Sequence, residues 1–410
     1  MGGAAPGMDE SGPAKAHWLT AQRLRVYPQI LLAVFLVAVL AYLQASDGLR
    51  DPLGKPLGSY FSPFWAGAQL ALSGEAEAIY DWRRLLAAQR TLIPETNDVF
   101  LWPQPPVFLL LLLPFGLLPY LPGLLAWLSV GYGGFFLALR RYLPAGAGTW
   151  ALLAFPGAIL CALNSQTGLL AAALLGTALI FLERRPVWAG AILGLLGFRP
   201  ELLLLACLGL IAARQVVALL ALLAVLAGTL LVSLLLFGAA PWLAYWDSLS
   251  WVAAVVAAGD LPWNKLVSLY GAVRLLGFGS AAGLALQAAG AALAVAVVVW
   301  AWRRPAAYGL KVSVLACAAF LVSPLMLYYD LVLLALPLLF LAQAGWRRGW
   351  GRGERELLVA AWWLPFAASP LAQVASLQVA PLFVLALLGL ALRRLQRPEP
   401  DRLTPVRSGA

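Results

Sequence analysis

The sequence predicts an all-α, polytopic integral membrane protein, and three observations carry that prediction. Of 410 residues, 62% are hydrophobic and only 11% charged, whereas a soluble domain carries about 25% charged residues. Apolar runs such as "ILLAVFLVAVLAYLQ" (30–44), "VVALLALLAVLAGTLLVSLLLF" (216–237) and "ALQAAGAALAVAVVVWAW" (285–302) approach or exceed the ~20 residues that cross a bilayer core. Arginine pairs flank such runs, where Lys and Arg set orientation. A net charge of +10 scattered in this way is not the single basic stripe of a nucleic-acid surface, so no nucleic-acid partner is expected.

Placing Arg23/Arg25, Arg140/Arg141, Arg184/Arg185, Arg303/Arg304, Arg347/Arg348 and Arg393/Arg394 in the cytoplasm orders the elements. Residues 1–27 read as a cytoplasmic tail, disordered by its Gly, Ala and Pro content. The first span, about 28–46, has no small-residue cleavage site behind a short apolar core, so it is expected to remain as an anchor. Residues 47–104 lie outside, with seven acidic and five basic residues. Spans follow at about 147–163, 166–183, 186–197, 200–213, 215–237, 281–302, 306–322, 326–344, 355–371 and 375–393. The total is about twelve in one domain, 28–394, ahead of a second cytoplasmic tail, 395–410. The proline-rich 105–123 is expected to be broken or re-entrant, which is tolerable where protein buries it. Segment 263–277 is expected at the outer interface.

This map puts the polar interruptions on one side. "WPQPP" (102–106), "NSQTG" (164–168), "GFRPE" (197–201), "LPWNK" (261–265) and "SPLMLYYD" (323–330) all fall on the outer face. Each has an ordinary reading: a capped turn, a kinked hairpin, a lysine snorkelling to headgroups, a structural carboxylate. Their common side is what argues for a site, since ionisable groups near a membrane core are costly and usually functional. Arg199, Glu201, Lys265 and Asp330 would then ring an outer cavity roofed by the 47–104 insert.

The residue types narrow the chemistry. The three cysteines sit inside apolar runs and His17 is the only histidine, so no metal cluster, cofactor or histidine base is expected. Arg199 and Lys265 suit a lipid phosphate, which guanidinium grips in bidentate fashion. Trp65, Trp102, Trp263 and Tyr329 suit sugar faces or isoprenoid tails, and a carboxylate suits deprotonation of an acceptor hydroxyl. A transporter of lipid-linked sugars is a rival reading, but no internal repeat of the transporter kind is visible.

Taken together, "GKPLGSYFSPFWAGAQLALSGEAEAIYD", "WPQPPVFLLLLLPFGLLPYLP", "NSQTG", "GFRPELLLL" and "SPLMLYYDLVLLALPLL" resemble bacterial glycosyltransferase family 87, in the family's order, over about 28–394. The resemblance implies a GT-C-type bundle in the bacterial inner membrane, with interfacial helices in the first extracytoplasmic loop. It also implies an inverting, metal-independent transfer from a polyprenyl-phosphate sugar to a lipid or glycan acceptor, mannose being the family's best-known sugar. By position, Asn164 and Gln166 match its "GQN"-like turn, Arg199 stands where a lysine is common, Glu201 follows in the same "FRPE", and Tyr329 and Asp330 match its "YD" or "HD" pair. The departure is Tyr60, which stands where the family pattern "PLGxDFxxFW" carries the aspartate expected as general base. Phenol, with a reference pKa near 10, is a poor base at neutral pH. Three outcomes stay open: Asp51 or Asp81 serves as base, Tyr60 is itself activated, or the protein binds a lipid-linked sugar without transferring it.

Overall fold

The computed structural model describes residues 18–92, 94, 96, 102–143, 146–259 and 261–396; His17 and most of both tails lie outside them. Among the described residues the regular structure is helical, with three isolated bridge pairs and no strand. In chain order the helices are α1 (Ala21–Gln44), α2 (Phe61–Leu72), α3 (Trp82–Arg90), α4 (Val107–Gly116), α5 (Tyr120–Leu139), α6 (Ala147–Leu153), α7 (Pro156–Leu163), α8 (Gly168–Phe181) and α9 (Pro186–Gly194). They continue as α10 (Pro200–Ala212), α11 (Val216–Phe237), α12 (Ala240–Ala258), α13 (Leu269–Leu275), α14 (Ser280–Trp302), α15 (Tyr308–Val322), α16 (Ala335–Arg348), α17 (Glu354–Ala375) and α18 (Ala380–Gln396).

Six stretches have the length and apolarity to cross a bilayer: Gln22–Gln44, Tyr120–Tyr142, Val216–Phe237, Ser280–Trp302, Tyr328–Arg348 and Glu354–Ala375. The protein is therefore multi-pass. Other apolar runs fold into helices of 10–17 residues, which at 1.5 Å per residue reach only about 15–26 Å. α1 starts at Ala21, inside the segment read as a tail, where Thr20 caps the N–H of Arg23.

Proline decides where several helices begin. Pro156, Pro186 and Pro200 each open a helix, where the missing N–H costs no hydrogen bond. Segment 105–123 is not one helix: α4 stops at Gly116 and α5 starts afresh at Tyr120. Segment 263–277 holds a single 3-10 turn, Trp263–Lys265, and the seven-residue α13, joined by an extended run. That run is stitched to neighbours on both sides. The Val267 N–H donates to the Met326 carbonyl at 2.9 Å, and the Ser268 hydroxyl donates to the Pro324 carbonyl at 2.6 Å. The Gln378 amide donates to the Leu266 carbonyl at 2.9 Å. Buried non-helical backbone survives because these groups are paired.

The main core is centred on α15, buried from Leu310 to Leu321, and on the 329–341 stretch beside it. α9 and α11 touch through glycine. A Cβ at Gly190 would lie 2.0 Å from the Ala218 carbonyl oxygen, and one at Gly194 would lie 2.7 Å from that of Leu222. Small residues four apart allow such backbone contact between membrane helices. The insert has its own aromatic core: Phe61, Phe64, Trp102, Phe108 and Trp127 are all buried. Phe64 packs edge-on to Trp102, Phe108 and Trp127, with ring centroids 5.7, 5.0 and 5.8 Å away. Such pairs add about 0.5–1.5 kcal/mol each beyond their area burial. α2 is thus clamped onto α4 and α5.

Candidate functional site

Three polar interruptions meet in one place. Arg199, held at the start of α10 by Pro200, points both guanidinium amines at Asp330: Nη1 and Nη2 each donate to Oδ1 at 3.0 Å. The other oxygen of Asp330, Oδ2, accepts the Leu327 N–H at 2.9 Å. Nη1 also donates to the Thr167 hydroxyl at 3.3 Å, and Nη2 to the Met326 sulfur at 3.9 Å. Glu201 Oε1 lies 2.7 Å from Arg199 Nε, but off the N–H axis, since Nε has no aligned acceptor. This contact is an ion pair without a well-formed hydrogen bond. "NSQTG", "GFRPE" and "SPLMLYYD" therefore converge, as read from sequence.

The donor count says what the cluster can still do. Guanidinium carries five N–H groups. Two go firmly to Asp330 and one faces Glu201, leaving the loosely held Thr167 and Met326 contacts as those an incoming acceptor would displace. One cation sits with two carboxylates, a formal sum of −1, so Arg199 by itself is not a free phosphate anchor. Asp330 is 4% exposed with both oxygens taken. Glu201 keeps Oε2 without a partner among the described residues and has a side chain 16% exposed.

Lys265 is exposed and makes no ion pair with any described residue. Its neighbour Leu266 bridges Leu327, which places Lys265 on the strip that leads to Tyr328–Asp330. Next to Tyr329 and Asp330 in the chain, the Tyr328 hydroxyl donates to Asn164 Oδ1 at 2.9 Å. Tyr329 packs edge-on to Tyr60 with centroids 5.6 Å apart, their side chains within hydrogen-bonding reach. Gln166 is buried and its side-chain amide bonds no described residue.

The opening "PLGSYF" is fitted to the "NSQTG" turn. Gly58 has φ +78°, and a Cβ there would meet Leu124 at 2.6 Å and the Ser165 hydroxyl at 3.3 Å. Ser59 and Ser165 both hold positive φ, +41° and +52°, a strained choice for a residue with a Cβ. Trp127 Nε1 donates to the Ser165 carbonyl at 2.8 Å and fixes that turn. Strain of this kind concentrates at functional sites.

Other sequence candidates are placed apart from the cluster by their contacts. Asp51 organises its own loop: Oδ1 accepts the Leu53 and Lys55 N–H groups at 2.9 and 2.7 Å, and Oδ2 accepts the Tyr42 hydroxyl at 2.6 Å. Asp81 caps α3 by accepting the Arg83 N–H at 2.9 Å. Trp65 donates from Nε1 to the Leu118 carbonyl at 3.0 Å, pinning α2 to the α4–α5 turn. Trp263 lies 4.9 Å beneath the Arg274 guanidinium. Sequence reasoning missed Thr167, Tyr328 and Tyr245. The first two stand inside quoted motifs, whereas Tyr245, close enough to Glu201 to feel its charge, lies outside every one of them. Tyr245 packs on Tyr80 at 5.7 Å, whose hydroxyl donates to the Gln104 carbonyl at 2.8 Å. The 47–104 insert thereby connects to the Glu201 side of the cluster. Among the described residues no three His, Cys, Asp or Glu side chains group closely enough to hold a metal ion.

A largely buried Arg–carboxylate cluster among broken apolar helices defines a membrane protein with a polar site inside its helix bundle. The model of glycosyltransferase family 87 matches residues 102–324, more than half of the chain, and the chain belongs to that family; it is a membrane glycosyltransferase by family. The match covers the "WPQPP", "NSQTG", "GFRPE" and "LPWNK" segments and stops short of Tyr328–Asp330. No individual curated protein and no solved structure matches the chain.

Proposed function

We propose that this chain transfers a sugar, mannose by family resemblance, from a polyprenyl-phosphate donor to a lipid or glycan acceptor on the extracytoplasmic face of a bacterial inner membrane. The observation that carries this reading is the meeting of Arg199, Glu201, Asp330 and Thr167 in one cluster, with Tyr60 packed on the neighbouring Tyr329. In an inverting displacement the acceptor oxygen attacks the anomeric carbon while the bond from that carbon to the phosphate oxygen breaks. The electron pair leaves with polyprenyl phosphate, and the acceptor proton passes to a carboxylate. Glu201 is the carboxylate assigned here, because Asp330 has both oxygens engaged and Asp51 and Asp81 serve local backbone. Lys265 neutralises the donor phosphate. Arg199 positions the two carboxylates and offers the phosphate its two weakly used donors. Asn164, Gln166, Tyr328 and Tyr329 line the approach to the sugar.

The test is transfer of radiolabelled sugar from polyprenyl phosphate by the full chain in vesicles. Wild type should label lipid or glycan acceptors, and Glu201→Gln should lose about 100-fold or more, within the range general base catalysis contributes. Full turnover by Glu201→Gln would reject Glu201 as base. A second reading, a binder that does not transfer, is favoured by Tyr60 packing on Tyr329 where a carboxylate is expected. Under it the wild type binds donor without turnover, and Tyr60→Asp gains transfer.

A further inference from the structure

The same helices that carry the cluster at one end build a chamber at the other. α10 runs 13 residues from Pro200 to Ala212, about 20 Å at 1.5 Å per residue, and α15 runs from Tyr308 back toward the 323–330 loop. Where α10 and α14 end and α15 begins, a cavity of about 820 Å³ opens. Its wall holds Arg214, Arg303, Arg304 and Lys311 with no carboxylate. Glu183, the carboxylate whose field reaches Lys311, is not part of the wall.

The chamber is built, not merely charged. Lys311 is 5% exposed, with Nζ 3.5 Å from the Trp302 carbonyl and 4.5 Å over the Tyr308 ring. An ammonium has three N–H groups, so one long hydrogen bond leaves it under-used. Trp302 Nε1 donates to the Lys311 carbonyl at 3.2 Å, and Gln215 Nε2 donates to the Tyr308 hydroxyl at 2.7 Å; both contacts stiffen the wall. Arg214 sits at φ +55°, and neither it nor Arg303 has a side-chain ion pair or hydrogen bond with a described residue. Orientation in the membrane needs arginines at helix ends. It does not need a buried lysine on the floor of a concavity.

We propose that this cavity is a phosphate-binding site at the cytoplasmic end of the bundle, occupied by the headgroup phosphate of an anionic phospholipid. Basic pockets between membrane helices on the cytoplasmic side suit anionic headgroups. Arg214 and Arg303 supply the paired N–H groups that match phosphate oxygens, Lys311 supplies the buried counter-charge, and exposed Ile211 on the rim gives acyl chains a way out to the bilayer. The site is independent of the transfer chemistry proposed for the opposite end.

Native mass spectrometry of the full chain in neutral detergent tests it, with phosphatidylglycerol, phosphatidylcholine and inorganic phosphate added separately. Phosphatidylglycerol should bind at least tenfold more tightly than phosphatidylcholine. Arg214→Gln/Arg303→Gln should lose at least tenfold of that affinity, since each charge-assisted bond is worth about a factor of ten or more. Arg347→Gln, an exposed arginine outside the cavity, should keep it. Lys311→Met should show the same loss; circular dichroism and the melting temperature report whether each variant is folded. Binding of inorganic phosphate without phosphatidylglycerol, lost in the double variant, would overturn the lipid assignment and leave a soluble phosphate as occupant. Equal binding of both lipids, or an equal loss in Arg347→Gln, would overturn the site.

Discussion

Replacing Arg199 by methionine removes the one cation between two carboxylates and is the sharpest probe of the cluster. The Arg199 side chain is 11% exposed, Asp330 5% and Glu201 16%, so solvent does little to relieve what remains. Breaking a buried pair by removing one partner costs about 3–5 kcal/mol. Asp330→Asn is milder, because the amide oxygen can still accept from Nη1 and Nη2; losing the charge in those bonds costs about 1.5–3 kcal/mol. In the Arg199→Met/Asp330→Asn double variant one of the stranded charges is gone, so its cost should fall below the sum of the singles by about 1–3 kcal/mol. Equilibrium unfolding of the full chain in mixed micelles, read by circular dichroism, gives all three values. A cost under about 1 kcal/mol for Arg199→Met, or strict additivity in the double variant, would refute the buried ion pair.

Three other substitutions test separate parts of the account. Gly190→Val should destabilise by about 3 kcal/mol or more, at or beyond the usual overpacking range, because its Cβ meets the Ala218 carbonyl at 2.0 Å; a melting temperature within a degree of wild type would contradict the α9–α11 contact. Ser165→Gly should stabilise by about 1 kcal/mol by relieving a left-handed residue, and destabilisation of that size in the same unfolding assay would count against the strained turn. Lys265→Gln should raise the KM for the polyprenyl-phosphate donor about tenfold or more with an unchanged melting temperature; an unchanged KM would remove Lys265 from the donor site.

Much of this architecture is legible in the sequence because local chemistry sets it. Pro200 ends one helical run and opens the next, so the break at "GFRPE" is visible without a structure, as is the interruption of 105–123 by its prolines. The convergence of Arg199, Glu201 and Asp330 follows from the side on which the polar interruptions fall. What is not legible is pairing at long range. Asn164 meets Tyr328 across 164 positions, and Leu266 bridges Leu327, contacts that only packing can choose. Nor does a motif reveal which carboxylate is free. Asp51 and Asp81 look equivalent to Glu201 in sequence, yet Asp51 holds its own loop through both oxygens, Asp81 caps α3 through Oδ1, and Glu201 is the one beside Arg199. Trp65 reads as a sugar platform, and its indole N–H is tied to the Leu118 carbonyl 53 positions away, a partner no motif announces. Arg303 and Arg304 read only as orientation signals, because neither reveals that a buried Lys311 stands opposite them across a cavity.

The most direct measurement is single-turnover transfer of radiolabelled sugar from polyprenyl phosphate by wild type, Glu201→Gln, Asp51→Asn and Asp81→Asn, each confirmed folded by its melting temperature. The account predicts transfer by wild type, by Asp51→Asn and by Asp81→Asn, and a loss of about 100-fold or more confined to Glu201→Gln. Full transfer by Glu201→Gln, with loss in Asp51→Asn or Asp81→Asn, would contradict it.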